Sequence, residues 1–459
     1  MPLRVMNANV VSGPFPDPVE RCFRDEVETY LKHYPDTEHV DIYLHDLNGC
    51  VRGKRMSVST LFSLEQGCYF PLSVYAMSLE GHVIEQSGLG KQVGEPDRLC
   101  LPVSGTLRPC ASDPARHAQL LLTMKNADGA ACELEPRVVL QNLLRRFHDR
   151  GLYPVAAAEL EFYLRDREQP EPSLSQPSHC FLVDEPEPHV YLLDEIEQHA
   201  RMQRLPLTGI VAEADAGQYE LNLQHSDRVL EACEQVLTLK RMTRQLAEKF
   251  NHAACFMAKP YAHLSGSGLH VHISLQDRNG INLLAGEPGQ ALSETMRRSL
   301  AGMMALMPAS VALLAPNVNA FRRLRQGGHA PLHASWGYND RTVALRLPCA
   351  DRDNQRIEYR LAGADANPYL VMAALLSGMW HGLEHDLPLP GNGRHDAVPL
   401  AERVALPRYQ QDALALFRQC LPLQALLGRE FSQLWLTCKN AELSHFESRV
   451  TEAENGWHL

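Results

Sequence analysis

AAAELEFYL, residues 156–164, alternates acidic and apolar side chains with a period of two. On a β-strand residues i and i+2 share a face, so Glu159 and Glu161 point one way and Leu160 and Phe162 the other. Two like charges side by side repel. Either that face opens to solvent or a cation sits between the carboxylates. GSGLHVHISL (266–275) repeats the pattern: Leu269, Val271, Ile273 and Leu275 on one face, His270, His272 and Ser274 on the other. NQRIEYRLAG (354–363) sets Arg356, Glu358 and Arg360 opposite Ile357, Tyr359 and Leu361. EADAGQYELNL (213–223) places Glu213 and Glu220 on either side of a turn at Gly217. Each pattern alone also suits a solvated face or a surface ion-pair ladder. Four on one chain point to a site. Five carboxylates and the His270 imidazole suit two divalent cations, and carboxylate-rich donor sets favour Mg²⁺ or Mn²⁺.

NVNAFRRLRQGGHAP (317–331) and NDRTVALRLP (339–348) add Arg322, Arg323, Arg325, Arg341 and Arg346. Guanidinium forks match carboxylate and phosphate oxygens. Carboxylate-held metals beside arginines fit phosphoryl transfer, in which charge on the moving group must be neutralised. From the residues alone this is a metal-dependent, ATP-using enzyme without a named substrate.

Outside the strands the chain reads as mixed. A helix is expected at 18–33, then a hairpin at Asn48-Gly49 with both turn residues at positive φ, then a short helix stopped by Gly67. Residues 83–110 read as a long loop with short strands. Further helices are expected at 136–151, at 226–250 with Ser226 as N-cap, and at 290–307, 367–384, 409–426 and 428–447. The proline-rich stretch 165–189 reads as a surface excursion. The expected units are 1–115 and 116–459.

The net charge of −11 argues against nucleic acid as a partner. The apolar stretch 301–316 is interrupted by Pro308 and falls short of the roughly 18 residues of a spanning helix, so no membrane is expected. MPLRVMNANVVSGPFP carries no secretory core, and twelve cysteines without a C-x-x-C pair suit reduced thiols in the cytoplasm.

Six motifs in order, E-L-E-F, E-x-x-x-G-Q-x-E, G-S-G-L-H-V-H, L-A-P-N-V-N-x-x-R-R-L, N-D-R-x-x-x-L-R and R-I-E-Y-R, resemble the glutamine synthetase superfamily over almost the whole chain. The resemblance implies an α+β fold. A small N-terminal β-grasp domain would precede a large catalytic domain, an antiparallel half-barrel sheet flanked by helices. It implies rings, hexamers or dodecamers, with active sites between neighbouring subunits. Glu161, Glu213 and Glu220 would hold one metal, and Glu159, His270 and Glu358 another, with two or more Mg²⁺ or Mn²⁺ per site and ATP as co-substrate. Arg323, Arg360 and Gly266 would bind glutamate. Arg341 and Arg346 would face the phosphates of ATP, and His272 and Ser274 would meet the nucleotide. Arg341, Arg323 and His329 are the expected catalytic side chains. A γ-glutamyl phosphate would form first, and an amine would displace its phosphate.

Departures from the family pattern bear on the amine. The flap reads G-G-H-A-P, so His329 stands where glutamine synthetases carry glutamate, and Ser265 where they carry asparagine. Their D-G-S-S motif is replaced by I-E-Q-S-G-L-G-K-Q-V-G-E-P-D-R-L-C-L-P-V (84–103), which resembles the γ-glutamylpolyamine and γ-glutamylputrescine synthetases. This implies glutamylation of a polyamine (putrescine, spermidine or spermine) in polyamine catabolism, with Glu85 as an anchor for a distal ammonium. Such an amine, with a pKa of about 10.4, arrives protonated; His329, largely neutral at pH 7, is the candidate base. Ligation of a monoamine or ethanolamine, use of ammonium, and a non-enzymatic descendant of the fold are the other readings.

Overall fold

The computed structural model describes residues 22–168, 178–184, 189–286, 292–325, 330–391 and 404–457. Two sheets organise it. The first contains β1 (His39–His45), β2 (Val51–Ser57), β3 (Cys68–Pro71), β4 (Asp97–Pro102), β5 (Arg108–Pro109) and β6 (His117–Met124), in the order β2-β1-β6-β4-β3 with β5 beside β6. β1 runs parallel to β6 and the other pairs are antiparallel. Val40, Ile42 and Leu44 of β1 join Leu120 and Leu122 of β6 in the core, under helix Phe23–His33 and the 3₁₀ segment Val58–Gln66. This is the expected mixed β-grasp sheet. It does not stop at residue 115, however: β6, its central strand, reaches Met124. An apolar run of this kind joins whichever sheet can bury it, and only the parallel pairing with β1 decides which.

The β1–β2 hairpin forms, with a different turn. Gly49 has φ 73°, whereas Asn48 is not in the left-handed region. Asp46 organises a longer loop, its Oδ1 accepting from the N–H groups of Asn48 and Cys50 at 2.9 Å each. A carboxylate that mimics a turn replaces the two-residue turn expected of Asn-Gly.

The second sheet runs β12-β13-β14-β11-β7-β9-β8, with β10 beside β7. Its strands are β7 (Tyr153–Asp166), β8 (Leu207–Ala212), β9 (Gln218–Leu223), β10 (His252–Cys255), β11 (Leu269–Gln276), β12 (Trp336–Tyr338), β13 (Leu345–Leu347) and β14 (Ile357–Tyr359). All pairs are antiparallel except β12 with β13. Leu160, Phe162, Leu269, Val271 and Ile273 are buried, and helices Pro136–Asp149 and Val229–Lys249 pack on β7. The expected α+β class therefore stands.

Several helix boundaries moved. Ser226 does not cap its helix, which begins at Val229. It exchanges both backbone hydrogen bonds with Ala156 instead (2.9 and 2.8 Å), and its Oγ accepts from Arg228 N–H at 3.0 Å. Pro308 does not interrupt its segment: Glu294–Leu314 is one helix. That helix lies against Pro368–Glu384 so closely that a Cβ on Gly302 would meet Gly378 O and Gly382 N at 2.2 Å. Such burial outweighs the hydrogen bond a proline removes. Residues 409–426 form two helices, Gln410–Gln419 and Leu421–Leu427, the second with Pro422 in its first turn. His189–Met202, a helix following the proline-rich stretch, was not expected, although Leu192, Ile196 and Ala200 recur every fourth residue and are buried. Among the described residues no helix is long and apolar enough to cross a membrane. All twelve cysteines are free thiols.

Candidate active site

Strand register brings the polar positions together. Glu161 of β7 lies opposite Glu220 of β9, which lies opposite Val211 of β8. One step along, His270 lies opposite Glu159, which lies opposite Asn222. On the other side of β11, His272 pairs with Glu358 and Glu358 with Arg346. Because side chains alternate, these rows share one face, while the partners between them fill the core.

Over this face lies a cavity of about 1170 Å³. Glu159, Glu161, Glu213, Glu220, His270 and Glu358 line it, as do Gly266, Arg323, Arg341, Arg346 and Arg360. Arg322 and Arg325 reach it as well. Three expected residues do not line it: His272, Ser274 and Glu85. His329 lies outside the described residues. Glu85 sits in the first unit, where its Oε2 accepts from Lys91 N–H at 3.0 Å. A Cβ at Gly90 would fall 2.3 Å from that oxygen, so the loop folds tightly around the carboxylate.

The ligand atoms of Glu161, Glu213 and Glu220 lie within 4.8 Å of one another. Glu159 joins two further groups at that spacing, one with Glu220 and His270, the other with His272 and Glu358. Thus Glu159, which the resemblance grouped with His270 and Glu358, bridges them from two sides. Its Oε2 faces His270 Nδ1 at 3.3 Å and its Oε1 faces His272 Nε2 at 2.8 Å. Arg356 Nε donates to His272 Nδ1 at 3.2 Å, which leaves the His272 proton on Nε2, aimed at Glu159. His272 therefore positions Glu159 from beneath. Glu161 is fixed by Gly268 N–H, which donates to its Oε2 at 2.7 Å. A Cβ on Gly268 would lie 2.7 Å from an Arg323 nitrogen and 2.8 Å from His270 Nε2, so a larger residue there would displace one of those side chains.

Glu358 is 1% exposed and receives Arg346 at 2.7 Å and Arg360. Arg346 also donates to Asn339 at 2.8 Å. Arg323 donates to the carbonyl oxygens of Leu361 (2.9 Å) and Arg360 (3.4 Å). Arg341 is exposed and has no hydrogen-bond partner among the described residues. The sequence reading missed Asp215, Lys259 and Phe181, which also line the cavity. Asp215 lay in view within E-A-D-A-G-Q-Y-E; no periodicity marked Lys259 or Phe181.

The carboxylates fall into two electrostatic classes. Burial pushes Glu159 up, but hydrogen bonds from His270 and His272 hold it well below the usual range. Glu358 is likewise held low, the charge and hydrogen bond of Arg360 outweighing burial. Glu213 is pushed up to about 7 by burial and by Glu161. Glu220 is pushed up to about 9 by burial and by Glu159, Glu161 and Glu213. Acidic groups crowded until they retain protons fit a divalent cation, which would favour their ionised forms.

A pH dependence follows. The unfolded chain releases the Glu213 and Glu220 protons near the ordinary glutamate value, whereas the folded, metal-free chain keeps them to about 7 and about 9. Their contribution to stability is present below the ordinary value and is lost as pH rises through about 7 and about 9. Cation binding displaces those protons. The rise in Tm on adding Mg²⁺ is therefore expected to grow from pH 6 to pH 9 in differential scanning fluorimetry. A gain independent of pH would disconnect these carboxylates from the metal.

The family profile of the glutamine synthetase catalytic domain matches residues 133–458. The gamma-glutamylputrescine synthetase PuuA of Escherichia coli is 49% identical over 454 residues, 95% of each chain. A glutamate–isopropylamine ligase of a Pseudomonas species is 30% identical over 457 residues, 95% of this chain and 96% of that one. In structure, a GmaS/ADP complex superposes with a TM-score of 0.81 at 24% identity, covering 94% of this chain and 98% of that chain.

Proposed function

The chain belongs to the glutamine synthetase family, and from that premise we propose that it joins the γ-carboxylate of glutamate to a primary amine of putrescine or a related polyamine, using ATP. The observation that carries the choice of amine is 49% identity, over 95% of both chains, to a gamma-glutamylputrescine synthetase. The cavity supports the chemistry, with acidic groups on one wall and guanidiniums around them.

In this reading Glu161, Glu213 and Glu220 hold one Mg²⁺ or Mn²⁺, and Glu159, His270 and Glu358 hold another. When bound, the cations neutralise charge on the transferring phosphoryl group. Arg341, exposed and unpaired among the described residues, and Arg346 take the phosphate oxygens of ATP. Arg323, Arg360 and the backbone at Gly266 seat glutamate. The γ-carboxylate oxygen of glutamate attacks the γ-phosphorus and ADP leaves. The amine nitrogen then attacks the acyl carbon, phosphate departs, and the amine gives up a proton. His329 on the flap is proposed to receive it. His272 is proposed to orient Glu159, which its Nε2 meets at 2.8 Å. We propose a ring assembly whose neighbouring subunits share sites, working in the cytoplasm in polyamine breakdown. The free thiols are consistent with a reducing compartment.

The test is phosphate release from ATP and glutamate with Mg²⁺, across putrescine, spermidine, spermine, ethanolamine, isopropylamine and ammonium, with products weighed by mass spectrometry. Putrescine or another polyamine is expected to exceed ammonium by at least about 100-fold in kcat/KM, since a site built for a particular polar group discriminates strongly. Turnover of ammonium alone would sink the polyamine reading.

A further inference from the structure

Phe181 lines the cavity, yet it is 68% exposed and has φ 60°. A bulky residue in the left-handed region is strained. An exposed aromatic ring also forgoes the stabilisation of burial. Such features persist where surrounding structure imposes them, and they gather at ligand sites. Here three hydrogen bonds impose it. Ser178 Oγ donates to Ala214 O at 2.6 Å, Phe181 N–H donates to Ala212 O at 2.9 Å, and His179 Nε2 meets Gln218 O at 3.0 Å. They stitch residues 178–181 along the β8–β9 turn that carries Glu213.

Two neighbours complete the wall. Val211, opposite Glu220 in the sheet, also lines the cavity and adds a second apolar side chain. Asp215 adds a carboxylate. Its Oδ2 accepts from Ser265 N–H at 2.7 Å and from the Tyr163 hydroxyl at 3.3 Å. No lysine or arginine forms an ion pair with Asp215 among the described residues, and the Lys259 ammonium, which also lines the cavity, feels its charge from farther off. Apolar side chains and a fixed carboxylate lining one cavity are complementary to a methylene chain ending in an ammonium group.

We propose that Phe181, Val211 and Asp215 form an acceptor subsite that selects diamines, the ring and the valine covering the methylenes and Asp215 receiving the distal ammonium. This rests on the functional reading above and gives Asp215, which lines the cavity, the role expected of Glu85, which does not line the cavity of its own chain. Binding of the diamine covers the exposed ring, which offsets its strain.

The test is steady-state kinetics with putrescine and with n-butylamine, which keeps the methylenes and lacks the distal charge. Phe181→Gly is expected to raise KM about tenfold for both amines, the scale of a lost apolar contact, and to leave KM for glutamate and ATP unchanged. Asp215→Asn is expected to raise KM about tenfold for putrescine alone, and Glu85→Gln to affect both amines equally. Glycine accepts φ 60° without strain, so Tm of Phe181→Gly should hold or rise and its assembly state by light scattering should not change. A lower Tm or a smaller particle would make Phe181 a structural or interface residue and overturn the subsite. So would equal effects of Asp215→Asn on the two amines. Wild-type enzyme that ignores putrescine would overturn the functional reading itself; wild-type turnover of putrescine with unaffected variants would overturn only the subsite.

Discussion

Glu358→Gln is expected to lower kcat/KM by about a thousandfold, roughly 4 kcal/mol of transition-state stabilisation. Glu358 is almost wholly buried and its carboxylate answers two guanidiniums, those of Arg346 and Arg360. Glutamine keeps the shape and removes the charge, and its amide nitrogen then points at one of those donors. Breaking a buried ion pair on one side costs about 3–5 kcal/mol, because the remaining charge loses its partner. Two further losses follow: a donor for the cation and the alignment of Arg346 and Arg360. The expected pattern is a lower Tm, weaker Mg²⁺-dependent ADP binding by calorimetry, and little phosphate release. Activity within tenfold of wild type would show that Glu358 neither holds the cation nor orders the arginines.

Gly266→Ala should strike glutamate and spare the nucleotide. An added Cβ would lie 2.6 Å from Ala258 O and 2.8 Å from Arg323 Cγ. The first neighbour is backbone and cannot swing aside. The second belongs to a buried arginine whose head is anchored on two carbonyl oxygens. The loop or Arg323 must therefore shift, and a displacement of about 1 Å at a positioning group can cost about 100-fold in rate. We expect kcat/KM for glutamate to fall by about that factor, with ADP affinity unchanged. Full activity would mean that the loop is free to move and that Gly266 plays no part in seating glutamate.

Of these two residues, Glu358 is marked by strand alternation, whereas Gly266, in the loop before β11, is marked only by the family resemblance. Glu159 and Glu161 were assigned to one face from E-L-E-F alone, and the structure places them so. What alternation cannot supply is the neighbour. His270 meets Glu159, and Glu220 meets Glu161, only because β7 lies between β11 and β9 in that register. His272 shows the limit clearly. It shares the face of His270, yet it does not line the cavity: its Nε2 meets Glu159 and its Nδ1 accepts from Arg356.

Local chemistry was legible where the cause is local: Pro136 opens a helix, Gly67 and Gly49 take positive φ, and the apolar strand residues fill the core. It misled where a distant partner competes. Ser226 could have capped a helix, but Ala156 took its backbone groups. Pro308 could have ended one, but the segment stays helical through it, packed closely against a neighbouring helix. β6 could have opened the second unit, but the parallel bond to β1 claimed it. By itself, then, the sequence determined the strand faces, the candidate donor residues and the family, since these depend on residue type and short-range periodicity. Only the tertiary structure decided which strands adjoin, which arginines reach Glu358, and that an exposed, strained phenylalanine stands at the cavity wall. Those depend on contacts between residues far apart in the chain, whose strength no local pattern encodes.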